Sequence, residues 1–275
     1  MLSLMDALMK GAALAVGAYT ASLLRVAMGT VIALPVWFAS RPRLPDRAAM
    51  RWHWLRGGIS AFMGFTFFFA LTRMPIAEAI AISFIAPLIA LYLAAILLGE
   101  EVRRAAILGS LVGFAGAMVI VGGQFGRGKL DADYLLGLAS ILVSTLLYAV
   151  NFIVIRKQSL AAPPAEIALF HSAIQAVVLM TAAPLLFTVP GTQALAATAG
   201  AAALTVAGAM LLAWAYARAQ TQVLVPLEYS GFGWAALLGW LWFEEAVTAA
   251  TLGGTTLVVI GCIVATRQTR DKAAG

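Results

Sequence analysis

Residues 70–121 read ALTRMPIAEAIAISFIAPLIALYLAAILLGEEVRRAAILGSLVGFAGAMVIV. Charged residues separate long apolar runs, and small residues are spaced along the last run. The same plan returns 145 residues later: without a gap, Arg73 aligns with Arg218 and Glu100 with Glu245. In the 50 positions from Ala70 onward, 10 are identical between the copies. An internal repeat of this length predicts the architecture before any single residue does.

The composition indicates a membrane protein. Hydrophobic residues make up 63% of the 275-residue chain and charged residues 11%, against about 45–50% and about 25% in soluble domains. The chain therefore has more apolar surface than its own interior could cover, and a lipid bilayer is the expected surrounding. The net charge is +6, but we assign the cations to short loops, which argues against nucleic-acid binding. The single Cys262 excludes an internal disulfide.

Nine apolar runs are long enough for membrane-spanning helices, which need about 20 residues each. They lie near 20–39, 54–73, 76–98, 104–123, 134–155, 166–187, 199–218, 221–243 and 248–266. The N-terminal piece Leu2–Lys10 is too short to cross alone, and the repeat matches it to the second half of the span at 134–156. We expect this helix to be truncated, with one hypothesis a native start upstream of Met1, or to be completed by Gly11–Gly17.

Counting this piece gives ten helices in two sets of five, at 1–123 and 134–266. An odd number of spans per copy predicts that the second copy is inverted relative to the first. Thirteen of the Lys and Arg residues then fall on one side of the membrane. The other five are Lys10, Arg25, Arg73, Arg127 and Lys129. The positive-inside rule places both termini in the cytoplasm.

No catalytic, metal-binding or cofactor-binding pattern appears. His53 and His171 are far apart in sequence, with no nearby Cys or paired acids, so a metal site is not expected. The glycines at 122–128 lie between spans, not between a strand and a helix, so they form no phosphate loop. These absences argue against an enzyme.

Polar residues inside the predicted spans are the candidates for a site, because burying them in a bilayer is costly unless they face a cavity or a partner. Glu228 follows Pro226 within its span. Asp6 and Asn151 occupy nearly equivalent positions in the two copies, and Tyr148 shares a helix face with Asn151. Trp214 and Tyr229 could supply aromatic walls. The structural alternatives stay open: a hydrogen-bonded or protonated Glu228, a frayed terminus at Asp6, an interhelical bond at Asn151, and packing or lipid contact for the rings.

Other polar and small residues are expected to have structural roles. His171 and Gln175 are spaced for hydrogen bonds between helices, and Glu78 suits a helix N-terminus. Interfacial anchoring is expected for Trp37, Trp52, Trp54, Trp240 and Trp242. Solvated positions between spans are expected for Glu100, Glu101, Glu244 and Glu245. The repeated glycines allow close helix approach, either within one chain or between two copies in a homodimer: Gly109, Gly113, Gly116, Gly254 and Gly261.

The chain resembles the EamA branch of the drug/metabolite transporter superfamily over nearly its whole length. The resemblance rests on MDALMK with Arg25 following, ALTRMPIAEAIAISFIAPL closing at Gly99-Glu100, AYARAQ, PLEYSGFGWAALLGWLWFEE and the Gly254–Gly261 spacing. It implies ten helices in two inverted five-helix repeats around a central cavity, moving small organic metabolites across the inner membrane. MDALMK and PLEY resemble members that handle amino-acid-derived or vitamin-like metabolites, such as S-adenosylmethionine or riboflavin. Two departures are the short first helix and Glu244, where a Gly often precedes the closing Glu.

We therefore expect an all-α polytopic protein of the cell inner membrane that transports a small molecule by alternating access. It would act without a cofactor. The expected substrate-binding residues are Asp6, Tyr148, Asn151, Trp214, Glu228 and Tyr229. A membrane-embedded enzyme and a non-transporting membrane scaffold are the alternatives, and a polar-lined central cavity would favour the transporter over the scaffold.

Overall fold

A computed structural model describes residues 1–40, 44–86, 88–90, 92–93, 104–125, 131–218 and 230–267, and these residues form helices and connections without strands. The helices are α1 (Leu2–Val16), α2 (Ala18–Ala39), α3 (Arg47–Leu71), α4 (Ile76–Ser83), α5 (Arg104–Phe125), α6 (Ala132–Ala161), α7 (Pro164–Met180), α8 (Ala183–Leu186), α9 (Thr192–Arg218), α10 (Ser230–Phe243) and α11 (Ala249–Arg267). Each of the nine predicted spans overlaps one of these helices, although α3 and α9 begin before 54 and 199 and α8 was not predicted as a separate helix.

Within the described part of the chain, four helices are long and apolar enough to cross a membrane by length and composition. These are Ala18–Ala39, Arg47–Leu71, Ala132–Ala161 and Thr192–Ala215. Shorter apolar helices include Ile107–Gly123, Pro164–Met180, Gly231–Phe243 and Ala249–Val264. An all-helical architecture of this kind is the one expected of a polytopic membrane protein, because helices satisfy their backbone hydrogen bonds internally.

The N-terminal helix is longer than the Leu2–Lys10 piece but shorter than a full span, at 15 residues. Helix α1 continues past Lys10 to Val16 and ends at Gly17, whose φ of 82° is a conformation that side chains rarely allow. Helix α2 begins at the next residue. The residues after Lys10 therefore lengthen this helix, but its 15 residues stay below the roughly 20 of a full span, so both alternatives for this piece stay predictions.

Helix boundaries follow the sequence offset. Helices α3 and α9 begin at 47 and 192, and α5 and α11 begin at 104 and 249, so each pair is separated by 145 residues. Helices α1 and α6 end at 16 and 161, which is the same separation. Helix α1 therefore corresponds to the last 15 residues of α6, as the repeat predicted.

Glycine contacts join α5 and α11 within the monomer. A Cβ atom on Gly116 would lie 2.5 Å from the Gly254 carbonyl oxygen, and one on Gly261 would lie 2.7 Å from the Gly113 nitrogen. The backbones therefore touch, and the two helices run antiparallel. The sequence left open whether these glycines pack within one chain or between two copies. In the structure they pack within one chain.

The core surrounds α4, whose eight residues are all buried. Residues of α1, α3, α6, α9, α10 and α11 pack around it in one hydrophobic cluster. Helices from both halves of the sequence thus share a single core, and the polar groups described next lie within it or at its margins.

Candidate functional site

Arg25 lies inside a helix and is buried. It is in the first third of α2 and only 5% exposed. Its Nη1 atom donates to Thr205 Oγ1 at 3.1 Å, and its guanidinium lies over the Phe68 ring, 5.3 Å from the centroid. The expectation that the cations occupy loops is wrong for Arg25. A charge held at this depth needs a partner or a function.

Asp6 lies close to Arg25 without touching it. Leu2 packs against Gly208 and Leu8 against Gly200, which places Asp6 beside the turn of α9 that carries Thr205. Asp6 is 9% exposed and interacts electrostatically with Arg25. No ion pair within 4.0 Å joins the two groups, and no hydrogen bond links the carboxylate to any described residue.

Tyr148 and Asn151 share a face of α6, as their spacing predicted. The Tyr148 ring stacks on Phe152 with centroids 4.5 Å apart, and both belong to a cluster that includes Ala86 beyond α4. Asn151 is buried, and its Oδ1 atom accepts no hydrogen bond from the described part of the chain. A buried acceptor without a partner is costly, so Asn151 is a strong candidate for contact with a ligand.

The remaining predicted site residues are not brought to this interior region by the described structure. Trp214 is 53% exposed on α9, where the Arg218 guanidinium lies 4.6 Å from its ring centroid. Glu228 and Tyr229 lie outside the described residues, as do Glu100 and Glu101. The expected central cavity would have residues 219–229 in its wall, so it stays a prediction.

A second polar cluster connects α3, α6 and α7, and we call it the His53 chain. Glu166 Oε1 lies 2.9 Å from His53 Nε2, Gln158 Nε2 lies 2.8 Å from His53 Nδ1, and Arg56 Nη1 donates to Gln158 Oε1 at 2.7 Å. All four side chains are buried, and the His53 ring stacks on Phe170. The expectation that the cations occupy loops is wrong for Arg56 as well, and the contact between His53 and Glu166 was not predicted.

A third cluster ties α1 to the second half of the chain. The Lys10 ammonium pairs with Glu245 and donates to the Met74 carbonyl oxygen at 2.8 Å. Glu245 also accepts a hydrogen bond from the Ile76 backbone nitrogen at 3.0 Å, which caps α4. Glu245 was expected to be solvated, and this was wrong, whereas the neighbouring Glu244 is exposed. Glu78 lies at the first turn of α4, as predicted, but is buried beside Tyr134 and Thr251.

Two further expectations are corrected. Gln175 donates to the backbone carbonyl of His171 in its own helix at 2.8 Å, so this pair forms no hydrogen bond between helices among the described residues. Trp37 is buried against Phe170 and is not an exposed interfacial anchor, whereas Trp54, Trp240 and Trp242 are exposed.

Comparison with known proteins shows which functional class this chain belongs to. The model of the EamA-like transporter family matches residues 1–122 and 135–267. The chain belongs to this family. It is a multi-pass membrane transporter and not an enzyme, and the family resemblance seen in its sequence is confirmed. Within the described residues, no group of three or more His, Cys, Asp or Glu side chains could hold a metal ion.

Two relatives of this EamA-like transporter are named as exporters. The chain is 27% identical over 271 residues to the pseudopaline exporter CntI of Pseudomonas aeruginosa, covering 96% of this chain and 92% of that one. It is 30% identical over 102 residues to the aromatic amino acid exporter YddG of Ancylobacter novellus, covering 36% of each chain. A solved crystal structure with a TM-score of 0.64 and 23% identity covers 96% of this chain and 97% of its own, which supports the fold alone.

The EamA-like transporter therefore has an interior polar set that the sequence analysis found only in part. Asp6 and Asn151 were predicted, and Arg25, Thr205 and the His53 chain were missed. The available signal was a single arginine within the 22-residue apolar helix α2. It was interpreted as a marker of topology, although an ionisable group at that depth indicates a functional site by default.

Proposed function

We propose that this protein is a secondary transporter of the inner membrane that exports a small amino-acid-derived metabolite by alternating access. In this proposal ten transmembrane helices form two inverted five-helix repeats, at 1–123 and 134–266, with both termini in the cytoplasm. The rocking of one repeat against the other would expose a central site to each side in turn.

The observation that carries the proposal is the glycine contact between α5 and α11. Gly109 and Gly254 are equivalent at the repeat offset, and so are Gly116 and Gly261. The structure pairs Gly116 with Gly254 and Gly261 with Gly109. Exchanging the two halves therefore turns each contact into the other, which is the pattern expected for a two-fold axis between inverted repeats.

Other helix pairs follow the same exchange. Helix α1 packs on α9, and their equivalents α6 and α3 pack on each other. Likewise α2 packs on α9, and α7 packs on α3. The interior shared by these helices holds Asp6 and Asn151, so it supports a substrate site at the seam between the repeats.

The proposed substrate-binding residues remain Asp6, Tyr148, Asn151, Trp214, Glu228 and Tyr229. Carboxylates would bind a cationic or hydrogen-bonding group of the substrate, and aromatic rings would pack on its flat portion. The aromatic amino acid exporter among the relatives supports an amino-acid-derived substrate, and both named exporters support export. Proton coupling through Glu228 is a further part of the proposal, because its side chain is ionisable within a predicted span.

Cysteine labelling tests alternating access. The native Cys262 is buried and would be replaced by Ala before Asn151→Cys is introduced. We expect a membrane-impermeant maleimide to label this position in both right-side-out and inside-out vesicles. Leu111→Cys, at an exposed apolar position of α5, is the control and should stay unlabelled by the polar reagent. Labelling of Asn151→Cys from one side only, or from neither, would contradict the proposal.

Transport by the Glu228→Gln variant in proteoliposomes tests proton coupling. We expect a lower rate and a flatter dependence on pH than in the unmodified protein. A variant that transports at the original rate with an unchanged pH profile would reject this role for Glu228 and leave alternating access standing.

A further inference from the structure

A carboxyl group and a guanidinium group are buried in this protein close enough to interact electrostatically. Asp6 and Arg25 are 9% and 5% exposed and interact electrostatically. They form no salt bridge, although a direct contact is the usual way to offset the desolvation of a buried ion pair. A molecule that carries one charge of each sign would interact with both groups at once.

Arg25 is held in position with part of its donor set unused. Nη1 donates to Thr205 Oγ1, and Thr205 is itself fixed by a hydrogen bond from Oγ1 to the Ala201 carbonyl oxygen at 2.7 Å. The buried Phe68 ring supports the guanidinium plane. The Nε atom is buried and has no hydrogen-bond partner in the described part of the chain. A planar guanidinium with a free edge suits a carboxylate, which it can bind through two parallel hydrogen bonds.

Neighbouring helices carry other buried polar atoms that lack hydrogen-bond partners among the described residues. They are Ser60 Oγ on α3, Asn151 Oδ1 on α6 and His171 Nδ1 on α7. Helix α3 packs on both α6 and α7, and α2 packs on α7. His171 also interacts electrostatically with Arg25. Several unsatisfied groups on packed neighbouring helices are expected where a polar ligand supplies the missing hydrogen bonds.

We propose that Arg25 binds the carboxylate and Asp6 the ammonium group of a zwitterionic, amino-acid-like substrate. This inference rests on the proposed function, because it assigns a carboxylate subsite and a substrate class to the same central site. The Asp6 carboxylate supplies the cation-binding half of that site. Arg25, which the sequence analysis did not include, supplies the anion-binding half and makes the site selective for molecules that carry both charges.

Ligands that differ by one charged group test the proposal. The purified full-length protein would be titrated with L-phenylalanine, 2-phenylethylamine and 3-phenylpropionate, and with the corresponding leucine series, using thermal stabilisation as the readout. A ligand that binds only the folded state raises the melting temperature. We expect at least one amino acid to bind tenfold or more tightly than both of its singly charged analogues.

Substitutions then separate the two halves of the site. Arg25→Gln should weaken binding of the amino acid at least tenfold but should leave binding of 2-phenylethylamine unchanged. Asp6→Asn should also weaken binding of the amino acid at least tenfold but should leave binding of 3-phenylpropionate unchanged. Arg25→Lys, which keeps the charge but loses the planar donor set, should bind the amino acid with intermediate affinity. Arg51→Gln, at an exposed position of α3, is the control and should bind like the unmodified protein.

The double variant Asp6→Asn with Arg25→Gln is a control for folding, because it leaves neither ionisable group buried without its counterpart. It should fold and should lose its preference for the amino acid over the analogues. The proposal is overturned if Arg25→Gln weakens all three ligands equally, if single-charge analogues bind the unmodified protein as tightly as the amino acid, or if no amino acid of either series binds. None of these outcomes changes the labelling of Asn151→Cys from two sides, so the transporter proposal fails or stands separately.

Discussion

The contact between α5 and α11 predicts a large difference between two adjacent glycines. Gly253 and Gly254 are neighbours in α11, but only Gly254 faces α5. A Cβ atom on Gly254 would lie 2.5 Å from both the Gly116 carbonyl oxygen and Ile120 Cγ1, whereas a Cβ atom on Gly253 would meet nothing within 4 Å. Gly254→Ala and Gly253→Ala are therefore a matched pair with the same change in chemistry.

The expected magnitudes follow from these distances. Observed Cβ atoms essentially never approach other atoms closer than 3.0 Å, so Gly254→Ala must separate the helices by at least about 0.5 Å. The carbonyl obstacle is backbone and has no alternative rotamer. Overpacking of this kind costs about 1–3 kcal/mol. Gly253→Ala should instead gain up to about 1 kcal/mol, because alanine favours a helix more than glycine does.

Reversible unfolding in mixed micelles measures the difference in the free energy of unfolding between the two variants. Gly261→Ala should destabilise in the same way, because its Cβ would meet backbone atoms of Gly109 and Gly113. The Gly254→Ala, Gly261→Ala double variant should cost less than the two single changes combined, since one separation of the helices relieves both overlaps. If Gly254→Ala proved as stable as Gly253→Ala, the close approach of the helices would be refuted.

Three further substitutions test local features, each measured as a change in the free energy of unfolding. Gln158→Leu removes the amide between the buried histidine and arginine of α3 and should cost about 1–3 kcal/mol; an unchanged stability would contradict the His53 chain. Gly17→Ala should cost about 1–3 kcal/mol because of the backbone conformation at φ 82°, whereas Gly58→Ala, in open space within α3, should not destabilise. Glu244 has a φ of 54°, so Glu244→Gly should stabilise by about 1–2 kcal/mol, and a loss of stability would show that its side chain has a role.

The helices could be predicted because hydropathy records them directly. Runs of apolar residues located most of the described helices, although α3 and α9 begin about seven residues before their predicted spans and α8 was not predicted as a separate helix. The structure explains why a Gly is usual at the position of Glu244. Glu244 has a φ of 54°, a left-handed conformation that favours glycine, and the residue at the equivalent place in the first copy of the sequence is Gly99.

The polar contacts could not be predicted in the same way, because they join residues far apart in sequence. Glu166 lies 113 residues from His53, and Glu245 lies 235 residues from Lys10. Local sequence places each of these residues near a helix end, where a solvated position is the usual expectation. Only the packing of α3 against α7, and of α1 against α10, shows that the side chains are turned inward.

The Lys10–Glu245 pair also makes the two ends of the molecule different in charge. At the repeat offset Lys10 corresponds to Ile155, so the equivalent position in the second copy lacks the cation. If the repeats are inverted, these positions lie at opposite membrane faces, and the two open states differ in free energy. A charged hydrogen-bonded contact of about 1–3 kcal/mol would change the ratio of the states about 5- to 150-fold.

We expect Lys10→Met to increase the rate of maleimide labelling at Ala236→Cys, a position that lines a small cavity beside Glu245. Lys157→Met, at an exposed lysine over Trp52, should leave this labelling unchanged, and an unchanged or lower rate in Lys10→Met would show that the pair does not hold this end closed.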